Sequence, residues 1–188
     1  MKLQFVSIAL LTSLAACGSA PAESKNSSVA VSDAAMQEPT FEPSPEHAII
    51  MRTAGTWDVV VDAQGQKSKA VQVMKSVGGF WVAGTWDGEM MGAPFQGHMI
   101  SGYDPTLKVF TGVWVDSMSP ALFHSAGTWD AATNTMHATI RGTVAGQEMV
   151  MKEVTTHPDD NHYKTTMSMV GADGVEMTVM VFDATRRK

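Results

Sequence analysis

"GTWDVVVD" (residues 55–62) alternates with period two: Trp57, Val59 and Val61 fall on one face, Asp58 and Asp62 on the other. That is a strand with one buried side. Its first letters recur, since AGTWD begins at Ala54, Ala83 and Ala126. Those unequal spacings exclude a fixed-period solenoid. Every tryptophan also has glycine two positions earlier: Gly55/Trp57, Gly79/Trp81, Gly84/Trp86, Gly112/Trp114 and Gly127/Trp129. Residues two apart share a strand face, so each glycine is expected to open a gap on the face where the indole stands. A curled sheet needs this alternation of small and large side chains. Trp81 and Trp86 are an odd number apart, so either a bulge near Gly84 turns both inward, the preferred expectation, or one indole faces out.

Outward from this stretch the pattern repeats. Residues 67–76, 79–87, 94–104, 107–117, 121–130, 135–144, 147–156, 162–171 and 175–186 each read as strands. The segments between them, among them AQGQ, DGEMMGA, DPT, DAATN and GADG, are turn-formers. Upstream, SPEHAIIMRTAG offers Ser44 as a cap, Pro45 at the first helical position and Gly55 as a stop, hence one short helix. The expectation is an all-β fold: an antiparallel up-and-down meander of about ten strands after one helix. Closure into a barrel removes its exposed edges.

The N-terminus reads as an export signal. Lys2 is followed by an apolar run from Leu3 to Leu14, too short to span a membrane with its own flanks. Leu14-Ala15-Ala16-Cys17 resembles the lipobox of bacterial lipoproteins, which implies acylation of Cys17. Gly18 stands where the resembling lipoproteins carry an aspartate when retained at the inner membrane. The expected place is therefore the cell envelope, lipid-anchored in the outer membrane and facing the periplasm. Residues 1–17 are read as the signal and 18–43 as a disordered tether rich in Ser, Ala, Pro and Glu. That tether would reach roughly 25–30 Å as a flexible coil. Residues 44–188 are then one domain. Cys17 is the single cysteine, which excludes an internal disulfide and a thiol nucleophile in that domain. A formal net charge of −6, with basic residues clustered only at Arg186-Arg187-Lys188, makes nucleic acid an unsuitable partner.

The short helix followed by Gly-x-Trp resembles the lipocalin-like (calycin) barrels. In those the tryptophan plugs the closed end under a late arginine, a role Arg186 or Arg187 would fill. The run GFWVAGTWDGEMMGAPFQGHMISGYDPTLKVFTGVWVDSMSP, residues 79–120, is similar to the bacterial family called domain of unknown function 1579. The resemblance spans Pro43 to Lys188 and implies a lipocalin-like barrel. It carries no catalytic residues with it.

The chain holds 15 methionines, and Met149/Met151 and Met167/Met169 stand in pairs at strand spacing. They read as an adaptable lining for an apolar ligand, as core filling, or as soft thioether ligands for Cu(I). His98, His124 and Asp116 fall on neighbouring strands and could meet as a polar triad at the barrel mouth, or stand apart. Pocket candidates are Trp57, Val59, Trp86, His98, Trp114, Asp116, Phe123, Met149, Met151, Met167 and Met169. With no nucleophile elbow, phosphate loop or carboxylate pair, no enzyme activity, cofactor or bound metal is expected. The expected function is non-covalent binding of a small apolar molecule or acyl chain. The alternatives are a structural or partner-docking protein with a filled core, and a copper-handling protein built from Met and His.

Overall fold

The computed structural model describes residues 40–171 and 173–188; Cys17, the signal and nearly all of the tether lie outside them. A seven-residue helix, α1 (Pro45–Met51), precedes ten strands. They are β1 (Gly55–Ala63), β2 (Gln66–Val77), β3 (Trp81–Met90), β4 (Ala93–Asp104), β5 (Val109–Asp116), β6 (Ser119–Asp130), β7 (Thr135–Val144), β8 (Gln147–Asp159), β9 (His162–Val170) and β10 (Glu176–Arg186). Each pairs antiparallel with its sequence neighbours, and β1 pairs with β10, so the meander is a closed barrel without a free edge.

Local chemistry sets the turns. Three hairpins turn on a residue pair with positive φ, the second a glycine: Gln64-Gly65, Met91-Gly92 and Ala145-Gly146. Two successive positive φ values match the right-handed twist of the flanking strands. Turns at the other end use aspartate: Asp104 accepts from the amides of Thr106 and Leu107, and Asp130 from that of Ala132.

α1 starts after Ser44, whose amide donates to His47 Nδ1 at 2.9 Å. It ends at Met51, four residues short of the expected stop, and Gly55 instead opens β1. The helix packs against β3 and β4 and closes one end of the barrel. His47 is buried there, edge-on to Phe80 and Tyr103. Trp57 is 1% exposed and donates its indole N–H to the Thr53 carbonyl. The Arg186 guanidinium lies 4.1 Å over the Trp57 ring and bridges the carbonyls of Ala54, Arg52 and Asp160. The plug of tryptophan and late arginine is thus present, with Arg186 in the role. Arg187 faces outward and pairs with Asp58.

Strand phase is as read for β1, where Trp57, Val59 and Val61 are buried and the aspartates are not. The expectation at Gly84 is overturned. β3 pairs with β2 and β4 in unbroken register through Gly84, so no bulge reverses the phase. Trp86 points in, at 7% exposure, and Trp81 points out, at 38%. The outer indole is accommodated by Gly102, its partner on β4, where a Cβ would overlap the ring.

Nor do the glycines make the expected room for the tryptophan two residues on in the same strand. The three atoms nearest a Cβ at Gly112 would be Ser101 Oγ, the Ile100 carbonyl oxygen and Ser125 Oγ, and none of the three belongs to Trp114. The room for Trp114 is made by Gly97 on β4, and the room for Phe123 by Gly142 on β7. Glycine does alternate with large rings, but across strands. The larger core cluster holds Trp57, Val59, Val61, Ala70, Phe182 and Ala184 on the β10–β1–β2 side. A smaller one joins Ala121, Phe123 and Ile140 on β6 and β7. The space between them is the cavity.

Candidate functional site: the barrel cavity

The interior holds a cavity of about 650 Å³. Ile49 and Ile50 of α1 and Thr53 of the turn after it, with Trp129, His157 and Tyr163, border it toward the closed end. Its middle is bordered by Gln72, Met74, Trp86, Met99, Trp114, Ile140, Met151, Glu153, Thr165, Met167 and Phe182. Toward the other end stand Gln64, Met90, Met91, Phe95, Asp116, Met118, Val144 and Met149. Met91 and Met118 are exposed at that mouth. The volume falls in the range of small-molecule sites, which are mostly apolar with a few placed polar groups.

Seven of the eleven candidates border this space: Trp86, Trp114, Asp116, Phe123, Met149, Met151 and Met167. Trp57 and Val59 face inward but are consumed by packing, Trp57 beneath Arg186 and Val59 at 2% exposure in the larger cluster. His98 lies on the outer face, paired with Val115 and exposed, because Gly97 and Met99 take the inward phase. His124, paired with Val113, is likewise exposed between the buried Phe123 and the half-buried Ser125. The proposed triad therefore does not form. Asp116 is engaged by the Trp114 indole N–H at 2.9 Å and by the amides of Met118 and Ser119. Met169 is half-buried and stands off the cavity, so the four paired methionines do not all converge on it.

A polar stripe that the candidates lacked crosses the wall. Tyr163 Oη donates to Gln72 Oε1 at 2.6 Å, and Gln72 Nε2 reaches Met99 Sδ at 3.5 Å. The hydroxyls of Thr155 and Thr165 are 2.7 Å apart, and Thr155 also donates to Glu153 Oε1 at 3.3 Å. Since a hydroxyl has one proton, Thr165 is then the donor between the threonines. Burial pushes the Glu153 carboxyl above the usual range, against the smaller opposing pull of the Thr155 bond. Burial, and then the nearby Glu153, push the Tyr163 phenol up as well. The Trp86 indole N–H is buried and has no acceptor among the described residues, although such a group normally finds one.

His157 sits between the Trp129 and Tyr163 rings. Burial, and next the Arg52 charge, bring its pKa down from 6.5 to about 4, with Asp160 opposing. The unfolded chain therefore takes this proton first as pH falls. The contribution of His157 is full above pH 6.5, declines below it and levels off near pH 4. His157→Gln should flatten the stability-against-pH curve in that window, relative to wild type, in chemical denaturation at fixed pH steps. An unchanged slope would contradict a half-buried imidazole held neutral.

Glu153, Thr155 and His157 were legible by the same phase that marks Met149 and Met151. All five lie at successive alternate positions of β8.

Closed up-and-down topology, a helix and an arginine-capped tryptophan at one end, and an internal cavity define a lipocalin-like barrel. The chain belongs to the family described as protein of unknown function (DUF1579), whose model matches residues 42–186. Among curated proteins, none matches. Among solved structures, the chain is similar to Rv2717c from M. tuberculosis: 10% identity, 78% of this chain, 100% of that one, TM-score 0.59. It is also similar to the S-type phycobiliprotein lyase CPES from Guillardia theta, at 11% identity over 78% of this chain and 99% of that one, TM-score 0.49. A redesigned barrel, mFAP1, bound to DFHBI, matches at 14% identity over 76% of this chain and 100% of that one, TM-score 0.41. At such identities the likeness is one of fold.

Proposed function

We propose that this protein is an envelope lipoprotein, held by an acylated Cys17 in the outer membrane and facing the periplasm. Its barrel binds a small apolar molecule or acyl chain non-covalently and catalyses no reaction. The observation that carries the reading is the cavity of about 650 Å³ bordered by methionine and aromatic side chains. A structural protein with a filled core would have no reason to hold such a space open, because unfilled volume costs stability. Binding would be driven by release of water from apolar walls. The thioethers of Met149, Met151 and Met167 would adapt the wall to the ligand's shape.

The tether-free domain should raise the fluorescence of the neutral apolar probe N-phenyl-1-naphthylamine at micromolar protein. Native mass spectrometry should find a copurified small molecule. Met149→Gln with Met167→Gln should weaken the probe about tenfold while shifting stability by less than about 1 kcal/mol, because a water-reachable wall tolerates amides that a close-packed core does not. No probe binding, together with a large loss of stability in the double variant, would reject the carrier reading for a structural one.

The anchor is tested separately. Cys17→Ser should release the protein from the membrane fraction or leave an unprocessed chain, since two or more acyl chains are what makes such anchoring stable. Unchanged fractionation would exclude acylation at Cys17.

A further inference from the structure

Building on the carrier reading, we propose that the ligand bears a positively charged amine, and that the Glu153 carboxylate receives it inside the barrel. Among the described residues, no lysine or arginine borders the cavity. Of the two histidines that do, His157 is held neutral by burial and His124 is exposed on the outward phase of β6, so an anionic head group such as a fatty-acid carboxylate finds no permanent counter-charge. Two carboxyls do border it. Asp116 is already engaged by one indole and two backbone amides. Among the described residues, Glu153 has one bond from the protein, the long one from Thr155, and so retains capacity for a ligand.

Its surroundings suit a cation. Glu153 stands between Ala138 on β7 and Met167 on β9, and the cavity it borders also carries Trp86, Trp114, Phe123 and Phe182 on its wall. Aromatic faces attract organic cations, tryptophan most strongly, and more so once water is gone. With no cation beside Glu153, burial favours the neutral carboxyl. An arriving ammonium favours the carboxylate, and the displaced proton leaves to solvent. A half-buried glutamate whose partner is one weak hydrogen bond is costly on an apolar wall unless something there uses its charge.

The test compares dodecylammonium, dodecanol and dodecanoate as competitors of N-phenyl-1-naphthylamine, each below its micellar concentration, on the wild-type domain and on Glu153→Gln. The three share one chain and differ in head charge. Dodecylammonium is expected to compete about tenfold or more better than dodecanol, the usual scale of a charge-assisted hydrogen bond, and dodecanoate worst. Glu153→Gln should remove the amine's advantage and leave dodecanol unchanged. Dodecanol equal to or better than the amine would overturn the proposal and point to a neutral acceptor held by the protonated carboxyl. So would an amine preference that survives Glu153→Gln, or a preference for dodecanoate. If Glu153→Gln fails to fold, the wild-type head-group order decides alone. Failure of the carrier reading looks different: the probe itself would then not bind.

Discussion

Arg186→Ala should cost the barrel about 3 kcal/mol or more, read as a lowered denaturation midpoint at unchanged slope. One guanidinium ties the last strand to the turn before β1, through Ala54 and Arg52, and to the β8–β9 turn, through the Asp160 carbonyl. It also covers Trp57 at 4.1 Å. Its removal strands three carbonyls and opens the closed end over a fully buried indole. A charged hydrogen bond is worth about 1.5–3 kcal/mol, and losses within one network do not add fully. Arg186→Lys should recover little, because a point-like ammonium cannot reproduce the planar fork. Gly55 belongs to the same device. Its φ is +138°, and a Cβ there would run into the Arg186 guanidinium, so Gly55→Ala is expected to fail in the same direction. A loss below about 1 kcal/mol in Arg186→Ala would mean that solvent already satisfies these carbonyls.

The architecture was legible because a one-sided strand announces itself. Alternation in residues 55–62 gives the buried face outright, and paired turn residues between such runs leave a meander little choice. What a strand's phase cannot tell is which inward residues touch each other. Trp57 and Val59 share the inward face with Trp86 and Met151, yet the first two are packed solid while the second two border open space. That difference depends on the helix and on how ten strands close, which are properties of the whole sheet. The expected bulge at Gly84 failed because it assumed that every indole must be interior. Trp81 shows that an outer face can seat one over a facing glycine. Glu153 was legible and passed over: it stands in phase with Met149 and Met151, and a lone acid on an apolar face is the rarer signal.

Gly97→Val is the sharpest consequence of that cross-strand arrangement. Gly97 faces inward on β4, opposite Trp86 on β3 and Asp116 on β5. The six-membered ring of Trp114 lies directly upon it, and a Cβ would overlap two of the ring atoms and crowd a third. The indole has nowhere easy to go. It stacks on Phe95 at 6.2 Å and 18°, meets Trp86 edge-on at 6.2 Å, and is bonded to Asp116 at 2.9 Å. Yielding to valine therefore breaks the hydrogen bond or drives the ring into the cavity. Overpacking of this kind costs about 1–3 kcal/mol, and the lost bond adds about 1 more. At an unremarkable strand position valine would instead gain up to about 1 kcal/mol over glycine through its β preference, so the two accounts differ in sign. Gly97→Val should lower the denaturation midpoint and weaken N-phenyl-1-naphthylamine together. Adding Trp114→Leu should return part of the lost stability, with a coupling of about 1–2 kcal/mol in the double-mutant cycle. A Gly97→Val protein as stable as wild type, or a cycle with no coupling, would show that Trp114 does not rest on this glycine.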